Sequence, residues 1–202
     1  MSGTLFVVSA PSGAGKTSLL AAVLEKAKDI DVSVSYTTRS PRSLEEHGKS
    51  YFFISQTEFK QMQQQDSFLE SADVFGNSYG TARDWVEARL KIDRDVVLEI
   101  DWQGALQVKE QFPAAVLIFI LPPSIEHLVS RLKLRAQDTE EVQNLRLSKA
   151  KQEISKYRHF DYLVVNDDFK VATENLLSIF AASRLRLLSQ ESRLANILSE
   201  LE

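Results

Sequence analysis

Cysteine is absent from the chain, which excludes a disulfide framework and any thiolate metal site. Long apolar runs are missing too; nothing approaches the roughly 20 residues that cross a membrane. The N-terminal run Leu5–Val8 is too short for the core of a secretory signal, and no basic flank precedes it. Positive charge is not in excess: 24 basic residues stand against 28 acidic ones, for a net charge of −4. A nucleic-acid partner, which needs a broad basic surface, is therefore not expected. The three histidines, His47, His127 and His159, lie far apart and offer neither metal-ligand spacing nor a Ser–His–Asp arrangement. Glycine is scarce: there are seven, none after Gly104, so tight backbone work is concentrated in the first half. Repeats, linkers and low-complexity runs are lacking. What remains is an ordinary globular composition, 44% hydrophobic and 26% charged over 202 residues. That suits one domain, or one core with small inserts, and a soluble cytoplasmic protein with no membrane partner.

Short apolar runs alternate with helical patterns. Leu5–Ser9, Val96–Ile100, Val116–Leu121 and Tyr162–Val165 are rich in Val, Ile and Leu, as strands buried on both faces are. Thr17–Lys28 places Leu19, Leu20, Val23, Leu24 and Ala27 on one helical face. Further helices are expected at Asp84–Lys91 and at Ser124–Arg135, the latter capped by Ser124, and from Asp138, which stands in capping-box spacing with Glu141. One or two more should fill Phe169–Leu201. The sum is an α/β fold with a mostly parallel sheet covered on both sides. Residues 35–81 break the rhythm with short strands (Tyr51–Ile54, Phe68–Ala72) and a short helix near Thr57–Gln65. They read as a small α+β insert in a core formed by residues 1–34 and 82–202.

Two anion sites can be read from side-chain chemistry. The segment Ala10-Pro11-Ser12-Gly13-Ala14-Gly15-Lys16-Thr17, followed by Ser18, lies between a strand and a helix. It matches the P-loop pattern G-x-x-x-x-G-K-[ST] except that Ala10 holds the first glycine position. Backbone N–H groups there would cradle phosphates, Lys16 would meet the β- and γ-phosphates, and the Thr17 hydroxyl is placed for Mg²⁺. A glycine turn capping an ordinary helix is the bland alternative. In Ser35-Tyr36-Thr37-Thr38-Arg39-Ser40-Pro41-Arg42, two arginines stand three residues apart across a proline. Their guanidinium forks would converge on a second anion, with Tyr51 and Tyr79 as phenolic donors; the alternative is a solvated basic turn. A second phosphate site beside a P-loop points to phosphotransfer rather than hydrolysis.

These residues resemble the guanylate kinase family. The matching pieces are APSGAGKT, VSYTTRSPR, HGKSYFF, FLESADVFGNSYGT, LEIDWQG, SRLKLRAQDTEEVQNLRL and YLVVNDD, in the family's order from Leu5 to about Asp168. The resemblance implies a P-loop NTPase-like core for ATP, a GMP-binding insert at 35–81, and a helical lid at about 131–146. It carries GMP-phosphate contacts onto Arg39, Arg42, Tyr51 and Tyr79, and guanine contacts onto Ser35, Glu70, Thr81 and Asp101. It places Asn166 at the adenine, and makes Arg131, Arg135 and Arg146 lid arginines acting with Lys16 and Arg42 on the transferring phosphate. Guanine presents N1–H and N2–H₂ side by side, which the Glu70 carboxylate would accept, while a Thr81 or Ser35 hydroxyl would donate to O6. Two roles fit Asp101, a guanine contact or the ordering of water on Mg²⁺.

The implied reaction moves the γ-phosphoryl group of ATP to GMP or dGMP with Mg²⁺. The nucleophile, a phosphate oxygen, is ionised at neutral pH, so no general base is needed. The chain departs from the family at the lid, where Leu134 and Ala136 flank Arg135 in place of the usual glycines; both favour helix. The competing readings are a guanylate-kinase-like binding module, a P-loop kinase for another phosphorylated acceptor, and a nucleotide switch. The sequence is compatible with a monomer or a homo-oligomer.

Overall fold

A computed structural model describes residues 3–74, 76–134 and 140–201, without the side chains at 132–134, 140–146, 188 and 192. A five-stranded parallel sheet forms its centre. The strands are β1 (Leu5–Ser9), β2 (Ile30–Val32), β7 (Asp95–Glu99), β8 (Val116–Leu121) and β9 (Tyr162–Val165), in the order β2-β7-β1-β8-β9. Successive β1 side chains point to opposite faces, and all five are buried. Phe6 and Val8 meet α1 (Lys16–Lys26) and α7 (Phe169–Arg184) through Leu19, Leu20, Val23, Leu176 and Phe180. Leu5 and Val7 meet α3 (Arg83–Lys91) and α4 (Trp102–Gln111) through Val86, Leu90, Ala105 and Val108. The layered α/β arrangement is thus the expected one.

A second sheet holds β3 (Tyr36–Thr37), β4 (Phe52–Phe53), β5 (Phe68–Val74) and β6 (Asn77–Ala82), in the order β4-β3-β6-β5. Its β5–β6 and β3–β6 pairs are antiparallel, whereas β3–β4 is parallel. Helix α2 (Gln56–Gln64) is capped by Ser55, which accepts from the Glu58 amide at 3.1 Å, and buries Phe59 against Phe68. Helices α5 (Ile125–Leu134) and α6 (Glu140–Ile154) pack through Leu128 and Ala150, and a 3-10 turn at Ser155–His159 leads into β9. The Ser124 hydroxyl accepts from the His127 amide at the start of α5, as its position suggested. Asp138 and Arg135 lie outside the described residues.

Three differences from the sequence reading stand out. Helix α4 and strand β6 were not anticipated. The C-terminal segment forms three helices, α7, α8 (Leu187–Arg193) and α9 (Ala195–Leu201), not one or two. The break after α7 has a physical reason in Asp95. This carboxylate is 1% exposed at the start of β7, accepts from the Thr4 amide at 2.7 Å and pairs with both Arg184 and Arg193. Nine residues of straight helix would separate those arginines by about 13.5 Å and set them on opposite faces. Breaking the helix lets both reach one carboxylate. Asp95→Ala should lower stability by about 3 kcal/mol, at the weak end of the range for a broken buried pair because Arg184 is partly exposed. Urea unfolding would show a lower midpoint with an unchanged slope.

Candidate active site

The turn between β1 and α1 is built for close approach of a ligand to the backbone. Gly15 precedes α1 with φ 85°, a left-handed conformation, and the first turn of the helix has neither a side-chain cap nor an acidic residue. Its N–H groups are left for an anion. A Cβ at Gly15 would meet Asn166 Nδ2 at 2.6 Å. Asn166 Nδ2 donates to the Ala14 carbonyl at 2.7 Å, Arg131 Nη1 donates to the same oxygen at 3.2 Å, and Arg131 Nη2 donates to the Asn166 carbonyl at 3.3 Å. Ala14 itself is in the core. The turn is therefore braced from behind by residues that the sequence reading placed at the adenine and in the lid.

Lys16 Nζ donates to the Ile100 carbonyl at 3.1 Å, joining the end of β7 to the turn after β1. Burial pushes its ammonium below the ordinary lysine range, against the raising effect of Glu99, Asp101 and Glu153. The Thr17 hydroxyl donates to Glu99 Oε1 at 2.5 Å. Asp101 caps α4 by accepting from the Gly104 amide at 2.9 Å. Glu153 Oε2, from α6, accepts from the Ser12 amide at 3.2 Å; burial pushes its carboxyl up, while the Ser12 N–H and Lys16 oppose that.

Across the cleft, the first of the two arginines in the 35–42 segment is paired with a nearby carboxylate. Arg39 Nη2 donates to both oxygens of Glu45, at 2.8 and 2.9 Å, and the guanidinium lies over the Tyr51 ring, 5.5 Å from its centroid. The hydrogen bond from Arg39 holds the Glu45 carboxyl below its usual range. Glu45 also accepts from the Arg42 amide at 2.8 Å, and the Arg42 side chain faces the cleft beside Tyr51 and Tyr79. One local carboxylate, six residues beyond Arg39, has thus taken the first arginine and shaped the turn.

Glu70, on β5, is 4% exposed and accepts from the Thr81 hydroxyl at 2.6 Å. Burial pushes its carboxyl up to about 7; Thr81 opposes the shift and the charge of Asp101 adds to it. Thr81 is fully buried behind Glu70 with its hydroxyl committed there, so of the two hydroxyls expected at the base, Ser35 is the one on the cleft wall.

One cleft of about 350 Å³ gathers Ala10, Pro11, Ser12, Gly13, Gly15, Lys16, Thr17, Ser18, Ser35, Arg42, Tyr51, Glu70, Tyr79 and Asp101. Ala14, Arg39, Thr81, Arg131 and Asn166 are one step behind its wall. Arg146 lies on α6 with its side chain outside the described residues. Ala72, Val74, Glu99, Ile100 and Glu153 complete the lining. Among these, Glu153 was missed. Among the described residues, no group of three or more His, Asp or Glu side chains is arranged to hold a metal by itself.

The family model described as guanylate kinase matches residues 2–183. The chain is 54% identical over 201 residues to a guanylate kinase of Nitrosococcus oceani, covering 100% of this chain and 99% of that protein. It is 51% identical over 201 residues to the guanylate kinase of Escherichia coli, covering 98% and 97%. The crystal structure of guanylate kinase from Anaplasma phagocytophilum superposes with a TM-score of 0.78 at 33% identity, covering 92% of this chain and 88% of the other. With its braced glycine turn and an acceptor wall across the same cleft, the chain belongs to the guanylate kinase family.

Proposed function

We propose that the protein is a cytoplasmic enzyme of purine nucleotide metabolism that transfers the γ-phosphoryl group of ATP to GMP or dGMP. The observation that carries this reading is that the glycine turn with Lys16 and the Glu70 carboxylate face one cleft, flanked by Arg42, Tyr51 and Tyr79. A nucleoside triphosphate on the turn and a purine monophosphate against Glu70 then direct their phosphates at each other.

In this reading the amides of 12–18 and Lys16 hold the triphosphate, and Arg42 with the two tyrosines holds the acceptor phosphate. Polyanionic GMP draws Arg39 away from Glu45. Glu70 accepts from guanine N1–H and N2–H₂, with Ser35 at O6. Adenine lacks those donors and would leave the second oxygen of a buried carboxylate without a partner, a strong basis for rejection. The attacking phosphate oxygen is already ionised, so the side chains need only align it and stabilise charge. The donor set of the Thr17 hydroxyl, Glu99 and Asp101 fits Mg²⁺, which favours one or two protein oxygens alongside waters and substrate phosphates. Thr17, Glu99 and Asp101 would hold the ion, which would supply charge neutralisation of the triphosphate. Arg131, Arg135 and Arg146 would approach the phosphates as the lid at 131–146 closes, which also keeps water from the triphosphate. The insert at 35–81 would act as the GMP-binding domain.

The direct test is ADP release from ATP and Mg²⁺ with GMP, dGMP, AMP, CMP or UMP as acceptor. GMP and dGMP should support turnover; activity with AMP and not GMP would refute the guanine assignment. Arg42→Ala should lower kcat/KM for GMP by at least about 10², measured at saturating ATP. A pH profile provides a further test. Guanine binding requires Glu70 ionised, and burial pushes its carboxyl up to about 7. The KM for GMP should therefore fall as pH rises, by about tenfold per unit below pH 7, and level off above it. In Glu70→Gln that limb should disappear, leaving only the titration of the GMP phosphate.

A further inference from the structure

Helix α4 carries a polar stripe that the core does not require. Gly104, Gln107 and Gln111 stand three and seven residues apart, on one face. They meet three successive residues of β5, the edge strand of the small sheet. Gln107 Nε2 donates to the Ser71 carbonyl at 2.9 Å, and Gln107 Oε1 accepts from the Ser71 amide at 3.1 Å. This carboxamide pairs with β5 as a neighbouring strand would. Gln111 Nε2 donates to the Leu69 carbonyl at 2.8 Å. The stripe thereby satisfies outward-facing backbone groups of an edge strand.

Glu70 lies between these two anchored residues, opposite Gly104. A Cβ at Gly104 would collide with Glu70 Oε2 and come within 3.1 Å of its Cδ. Glycine is disfavoured inside a helix, and Gly104 is buried there; its missing side chain is what leaves room for the carboxylate. The same residue donates its amide to Asp101 Oδ1. One helix turn thus locates both acidic groups that face the base side of the cleft.

We propose that Gly104, Gln107 and Gln111 form the specificity-positioning element of the acceptor-base pocket, with Gly104 setting where the Glu70 carboxylate stands. None of the three lines the cleft; they act through Glu70, and the proposal rests on the reading of Glu70 as the guanine acceptor. Gly104→Ala should raise the KM for GMP by on the order of 10²-fold, the cost of a displacement near 1 Å. The KM for ATP and kcat at saturating GMP should hold. Glu70→Asp, which shortens the acid by one methylene, should recover part of the lost GMP affinity in the Gly104→Ala background while weakening it in the parent. Such a sign reversal requires direct coupling. Gln107→Ala should raise the KM for GMP less, again sparing ATP, and decides the matter if Gly104→Ala does not fold.

A parent-like KM for GMP in Gly104→Ala, no rescue by Glu70→Asp, or equal loss toward ATP and GMP in Gln107→Ala would overturn the proposal. If Glu70→Ala leaves the KM for GMP unchanged, the guanine assignment falls. If Glu70→Ala raises it and Gly104→Ala does not, only the positioning role falls.

Discussion

The parallel pairing of β1 with β7 is the constraint on which the site depends. In this register Val8 stands beside Glu99, so the carboxyl ends of both strands open on the same edge of the sheet. The glycine turn leaves one strand and Glu99, Ile100 and Asp101 leave the other, close enough for Lys16 to reach the Ile100 carbonyl. Open α/β sheets bind ligands at this edge. A one-residue slip of β7 would turn Glu99 to the opposite face and carry Asp101, and with it the start of α4, out of place. Burial of β1 and β7 on both sides makes such a slip costly, since every closely packed side chain would have to refit the opposite face.

The cleft holds its charges in internal pairs. Arg39 is on Glu45, Thr17 on Glu99, Arg131 on two carbonyl oxygens, and Glu153 on the amide of Ser12. These contacts keep polar groups satisfied and aimed. Two polyanions compete for the same donors, because each phosphate brings more negative charge and more acceptor oxygens than the carboxylate or carbonyl it replaces. Binding then exchanges partners for groups already oriented, which is how electrostatic preorganisation operates.

The glycine turn, the central strands and most wall residues were legible in the sequence because their chemistry is local. Continuous Val, Ile and Leu runs mark strands buried on both faces, and Gly13, Gly15, Lys16 and Thr17 stand in fixed spacing. Helix α4 was overlooked although Ala105, Val108 and Phe112 stand at helical spacing; what the sequence does not show is its second stripe, of Gly and Gln meeting backbone groups of β5. Strand β6 is small and polar, NSYGTA, and lacks the alternation that marks a strand. The break after Arg184 follows from a distant carboxylate, Asp95, and no glycine or proline announces it. Arg39 was assigned by its neighbours along the chain, while its partner Glu45 was fixed by how the turn folds back.

The central claim is that two anion sites open into one cleft and face each other. A bisubstrate compound joining adenosine to guanosine through a pentaphosphate tests it directly, by titration calorimetry combined with steady-state inhibition. One molecule should bind per chain and compete with both ATP and GMP. Competition with only one of the two, or binding of two molecules per chain, would contradict it.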